Sequence, residues 1–126
     1  MATSVGHPLA GKRPLPIRAL AGNRLIAFQR GSSTREVVDA ALARAGVQPE
    51  IALEANDFAL LRSLVARGIG VGILPRSFLE RPGPRIAFRP LAPPLRMEVV
   101  LWWRRGRRLS PAAQAFVEFV AEQLPR

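Results

Sequence analysis

The sequence predicts an α/β domain, and three observations carry that reading. Short apolar runs bounded by turn residues alternate with helical stripes, and residues suited to helix caps precede the stripes. Third, the stretch LLRSLVARGIGVGILP at residues 60–75 runs a helix through a glycine directly into an apolar strand, which is half of an α/β unit. Leu60, Leu61, Leu64 and Val65 share one face of that helix, whereas Arg62 and Arg67 fall away from it. Gly68 stands where a helix end needs the left-handed conformation, and residues 69–74 follow as a buried strand that Pro75 stops. Gly68, Gly70 and Gly72 do not read as a phosphate loop. A dinucleotide fingerprint follows a strand and opens a helix, and here the order is reversed, so the glycines serve a cap and close backbone packing.

The other elements follow in order. Residues 1–20 hold three prolines and two glycines and read as an irregular lead-in. Residues 24–29 form a short strand around Leu25 to Phe28. Gly31 and Ser32 then turn the chain, Ser33 is the expected N-cap, and Glu36 three residues on completes a capping box. Val38, Ala41, Leu42 and Ala45 mark the face of this helix and Gly46 ends it. Residues 50–54 are a second strand, with Ile51 and Leu53 alternating, and Asn56 or Asp57 caps the helix that Phe58 enters.

After Pro75, residues 76–80 make one helical turn, residues 81–84 a proline-rich turn, and Ile86 and Phe88 mark a short strand. Pro90, Pro93 and Pro94 read as a connection between lobes. Residues 97–103 are expected to be the longest strand; it is apolar on both faces and so expects cover on both sides. Gly106 turns the chain among Arg104, Arg105, Arg107 and Arg108. Ser110 caps the last helix, Pro111 opens it, and Ala113, Phe116, Val117, Val120 and Leu124 form its stripe.

A chain of 126 residues has room for one domain that buries roughly two-thirds of its unfolded surface. There is no cysteine, His7 is the only histidine, and no acidic cluster has metal-ligand spacing, so neither an enzyme nor a metal or other cofactor is expected. No apolar run approaches the roughly 18 to 20 residues that span a bilayer, and the first residues lack a signal-peptide core; the expected location is the cytoplasm, away from membranes. Nineteen basic against nine acidic residues give a formal net charge of +10, which suits a polyanion. Without interleaved aromatics or a reading motif, any DNA binding by this chain is expected to be electrostatic and blind to sequence.

Chemistry is expected where strands hand over to helices, because open α/β sheets bind ligands beyond the carboxyl ends of their strands. At the first such junction the free N–H groups of the helix, the hydroxyls of Ser32, Ser33 and Thr34, and the guanidinium of Arg35 could receive a carboxylate. At the second, Asn56 and Asp57 would lie alongside. Each group could equally be an ordinary helix cap.

Taken together, HPLAG at residues 7–11, LIAFQRGSSTREVVDAALARAG, the acidic strand, LLRSLVARGIGVGILP and the closing LSPAAQAFVEFV resemble the effector-binding domain of LysR-type transcriptional regulators. The resemblance implies a two-lobed fold similar to type 2 periplasmic binding proteins, with a small metabolite between the lobes. It aligns residues 1–94 with one complete lobe, and residues 95–126 with the strand and helix that return to the other. It places Ser32, Ser33 and Thr34 at the loop that meets effectors, with Asn56 and Asp57 nearby. Family members begin with a winged helix-turn-helix and most of the first lobe, which this sequence lacks. It therefore reads as a truncated regulator whose DNA contact lies in the missing part, and whose orphaned tail favours self-association. A basic nucleic-acid or protein-interaction module and a fragment of a transporter's solute-binding protein are the alternative readings.

Overall fold

The computed structural model describes residues 1–104, 106 and 108–123. Its centre is β3 (Arg24–Phe28), which pairs in parallel with β4 (Glu50–Ala55) on one side and β5 (Val71–Gly72) on the other. Beyond β5 come β1 (Ala2–Thr3), antiparallel to both neighbours, and β6 (Ala87–Phe88) at the far edge, giving the order β4-β3-β5-β1-β6. A separate parallel pair joins β2 (Leu15–Pro16) to β7 (Leu91–Ala92). The lead-in is thus not irregular. Its first strand sits inside the sheet with Ala2 fully buried, and a 3-10 turn at Ile17–Leu20 adds core residues. Two-residue strands leave no periodicity to read; only their distant partners define them.

Helices cover both faces, and the strands alternate accordingly. Leu25 and Ala27 of β3 and Val71 of β5 face the cluster that holds Val38, Ala41 and Leu42 of α1 (Ser33–Arg44). Ile26 faces the opposite cluster, with Leu61 and Val65 of α2 (Phe58–Ala66). A strand buried on both faces needs an unbroken apolar run, which is what residues 25–28 supply. Of the predicted α2 stripe Leu61 and Val65 are fully buried, whereas Leu60 is exposed. Arg62, expected to point away, is also buried: its Nε donates to the Pro84 carbonyl at 2.9 Å and its Nη1 to that of Arg81 at 2.7 Å. Its guanidinium thereby pins the proline turn onto the helix.

The glycine reading holds in detail. Gly68 takes φ +74°, ending α2, and Gly46 takes φ +67° after α1. A Cβ on Gly70 would lie 2.6 Å from the Arg24 carbonyl oxygen, and one on Gly72 2.5 Å from Leu61. Residues 69–74 pass close between β3 and α2, but only Val71 and Gly72 join the ladder, in place of the six-residue strand expected. Beyond Pro75 lies the expected turn, α3 (Arg76–Leu79).

The largest departure is the tail. Residues 97–103 form no strand, because neither edge of the sheet receives them. Val99 is 86% exposed and Trp102 85%. Helix α4 (Pro111–Gln123) forms as expected, with Ser110 Oγ accepting from the Ala113 N–H at 3.3 Å, but none of its described residues is buried. Arg105, Arg107 and Leu124, named in the sequence reading, lie outside the described residues. Among the described residues no helix is long and apolar enough to cross a membrane.

The close approach at Gly70 predicts a contrast between two alanine substitutions. Gly70→Ala should cost about 1–3 kcal/mol, because a backbone carbonyl cannot step aside. Gly11→Ala, where the nearest atom is 3.4 Å away on the flexible Arg89 side chain, should be neutral or stabilise by up to about 1 kcal/mol. Urea unfolding of both variants measures the difference.

Candidate functional site

Parallel pairing puts the carboxyl ends of β4, β3 and β5 side by side, and the three following turns gather there. The Gln29 N–H donates to the Ala55 carbonyl at 2.9 Å, which holds the Ser32 turn next to Asn56. On the α2 side this end is stiffened by a run of rings, with Phe28 4.6 Å from Phe58 and Phe58 5.2 Å from Phe78 between centroids. On the α1 side lies a cavity of about 650 Å³. Its wall includes Thr34 and Val38 of α1, Ile73 to Ser77 after β5, and residues 95–99 of the tail.

The N-cap of α1 is Ser32 and not Ser33. Ser32 Oγ donates to the Gln29 carbonyl at 2.9 Å and accepts from the Arg35 N–H at 3.2 Å. The extended backbone of a cap belongs to Ser32, with φ −84° and ψ 144°, so Glu36 falls one place past the position a capping box needs. Its own N–H bonds the Ser32 carbonyl. With Arg35 and Glu36 thus occupied, the N–H groups of Ser33 and Thr34 are the first-turn donors without an intrahelical partner. The Thr34 hydroxyl, on the cavity wall, lies 3.8 Å from the Met97 sulfur.

Arg35 departs from the anion contact expected of it. Its side chain is 7% exposed and turned inward. Nε donates to both Asp39 oxygens at 2.9 and 2.8 Å, and Nη1 donates to the Phe28 carbonyl and to Glu54 Oε1, each at 2.9 Å. Those hydrogen bonds and charges hold Glu54 below its ordinary carboxylate value, through Arg35 first and Arg30 less, and raise Arg35. The guanidinium therefore ties β3, α1 and β4 together and is committed to carboxylates of its own chain.

Asp57 is the N-cap of α2, accepting from the Leu60 N–H at 2.8 Å, while Asn56 is exposed between the caps. Neither lines the cavity, and nor do Ser32 and Ser33; of the expected residues Thr34 does. A residue the sequence reading missed also lines it: Arg76, exposed, at the end of the third parallel strand. The rule that selected the first two strand ends would have found it, had the turn after Pro75 been treated as a third. Among the described residues no group of three or more His, Cys, Asp or Glu could hold a metal ion.

This sheet order, with helices on both faces, defines an α/β domain similar to one lobe of a type 2 periplasmic binding protein. The chain belongs to the LysR substrate binding domain family, which it matches over residues 1–125. It is 37% identical over 116 residues to the HTH-type transcriptional regulator YfeR of Shigella flexneri, covering 91% of this chain and 38% of that protein. The chain thus spans about two-fifths of the length of the curated relatives it matches. Two solved effector domains share the fold. The regulatory domain of CcmR from Synechocystis PCC6803, in complex with 2-PG, superposes with a TM-score of 0.81 at 24% identity, over 97% of this chain and 60% of that one. The effector binding domain of QuiR, in complex with shikimate, gives 0.76 at 21% identity, over 97% and 58%.

Arg35 and Glu54 yield a signed pH prediction. A carboxylate whose folded pKa is lowered contributes stability above its unfolded value, here about 4.5, and loses it as pH falls through the folded value. The stability difference between the wild type and Glu54→Gln should therefore be full above pH 4.5 and shrink below it. Arg35→Met should cost about 2 kcal/mol at neutral pH, the scale of a lost charged hydrogen bond, and should abolish Glu54's contribution to the acid dependence. Urea titrations across the acid range measure both.

Proposed function

We propose that this chain is the small-molecule sensing part of a LysR-type transcriptional regulator and that its effector is a small organic anion. The observation that carries the reading is the cavity at the strand ends, whose volume of about 650 Å³ falls within the range of small-ligand sites. Its wall carries Thr34, in the first turn of α1, where N–H groups lack an intrahelical partner and the dipole favours negative charge. The wall also carries exposed Arg76, whose fork suits a carboxylate or a phosphate. Apolar Val38, Ile73 and Leu74 line it as well.

In this reading Ser32 and Asp57 shape the site as caps, Arg35 positions the start of α1, and Asn56 borders the cleft from the next strand end. The ligands of the Synechocystis domain and of QuiR support a small effector. The division at residues 94 and 95, with the tail returning to another lobe, belongs to the same reading, as does regulation of DNA through a helix-turn-helix on the same regulator.

Amide shifts during titration with a panel of small carboxylates and phosphate esters test the site. Changes should concentrate at Ser33, Thr34, Arg76 and Ser77, with millimolar affinity, and Arg76→Gln should weaken binding about two- to fivefold, the worth of one exposed charged contact. Changes scattered over surface arginines, indifferent to Arg76→Gln, would contradict it.

A further inference from the structure

A second cavity, of about 610 Å³, shares Leu74, Pro75, Arg76 and Leu95 with the one at the strand ends, but no residue of α1 lines it. Leu79, Phe88 of β6 and Leu91 of β7 continue its apolar wall. The strands hold that wall in place. Phe88 is in register with Ala2 of β1, and Leu91 with Leu15 of β2, so both sheets contribute. Leu74 and Leu91 are buried and belong one to each core cluster, which anchors the wall in the packed interior. The volume falls within the range of small-ligand sites.

The charges on the wall select the occupant. Among the described residues Arg76 and Glu80 are the only charged side chains that line this cavity. Arg76 opens α3 and Glu80 caps its end, at the i, i+4 spacing where opposite charges on a helix meet. They do not pair with each other. Both are exposed, and among the described residues no ion pair reaches either. An apolar cavity that presents one cation and one anion, each without a partner, is complementary to an apolar body carrying both charges on its head. A plain carboxylate would meet Arg76 but be repelled by Glu80, and a plain amine would meet the reverse.

We propose that this cavity is a second small-molecule site, for an α-amino acid with a large apolar side chain. The ligand's carboxylate meets the Arg76 fork, its ammonium meets Glu80, and its side chain lies along Leu79, Phe88 and Leu91. Because Arg76 lines both cavities, this ligand and the effector draw on the same guanidinium and weaken each other. That antagonism alone rests on the function proposed above. The second site stands apart from it, since Glu80 and Phe88 line this cavity and not the other.

Amide shifts of the full 126-residue chain during titration with L-phenylalanine test the site. Changes should concentrate at Leu79, Glu80, Phe88 and Leu91. Phenylpropanoate, which lacks the ammonium, and phenylethylamine, which lacks the carboxylate, should each bind about two- to fivefold more weakly, the worth of one exposed charged contact. Glycine, which keeps the head and loses the ring, should bind weaker by about tenfold or more. Glu80→Gln should weaken phenylalanine about two- to fivefold yet leave phenylpropanoate as tight or tighter, whereas a general disturbance of the wall would weaken both. A small carboxylate bound at Ser33 and Thr34 should lose about two- to fivefold in affinity in saturating phenylalanine. Phenylalanine that moves none of the four amides, or only those of Ser33 and Thr34, overturns the proposal, and so do three ligands bound alike and indifferent to Glu80→Gln. Failure of the effector reading shows differently: no anion moves Ser33 or Thr34, while the phenylalanine pattern and its response to Glu80→Gln persist and uphold the second site.

Discussion

The buried guanidinium of Arg35 is the interaction on which the working end of this domain depends. It is placed by the first turn of α1, yet its partners come from three elements: the last carbonyl of β3, Asp39 one turn along α1, and Glu54 near the end of β4. Because the carboxylates are partly exposed and the arginine is not, the charge keeps its partners without three groups being desolvated together. The clamp sets where α1 begins, and hence where the N–H groups of Ser33 and Thr34 point. Its Nε and Nη1 are committed to partners within its own chain. In the proposed reading, recognition of charge passes to Arg76, which lines the cavity after the neighbouring strand.

A second constraint acts from beneath. Gly70 and Gly72 let β5 lie so close to β3 and α2 that no side chain fits, and the turn after Pro75 shares a cavity wall with the first turns of α1. The cavity is the space left between those two turns. Its location follows from topology: three parallel strands end together, their helices leave on opposite faces, and the turns cannot fill the gap between them. Rings on one face and the arginine clamp at the edge make the frame stiff, while the wall formed by residues 95–99 belongs to the least buried part of the chain.

Much of this was legible in the sequence, and the failures have physical causes. The strand-helix alternation, the glycine ends at Gly46 and Gly68, the cap Ser110 and a cap at Asn56 or Asp57 were readable because they are local patterns. Ser32 and Ser33 could not be ranked, since either hydroxyl can cap and the choice rests on how the chain leaves β3. Arg35 was read as a possible anion contact and Arg62 as lying off the apolar face, because burial of a guanidinium depends on carbonyls and carboxylates as far as 22 residues away. Strand β1 was invisible at two residues, whereas residues 97–103 have every strand signal and no strand beside them; a strand exists only with its partner. Arg76 was missed because the turn after Pro75 was read as the end of a strand rather than as a third strand end lining the same space.

We propose a division of labour in which Arg35 holds the frame and Arg76 meets the ligand. Nitrogen-detected NMR of the arginine Nε–H groups reads it directly, because the two side chains report separately during one titration with a small carboxylate. The expected result is an Arg35 resonance that exchanges slowly with solvent and does not move as ligand is added, and an Arg76 resonance that shifts with the same saturation curve as the Thr34 amide. An Arg35 resonance that follows the ligand while Arg76 stays fixed would contradict it.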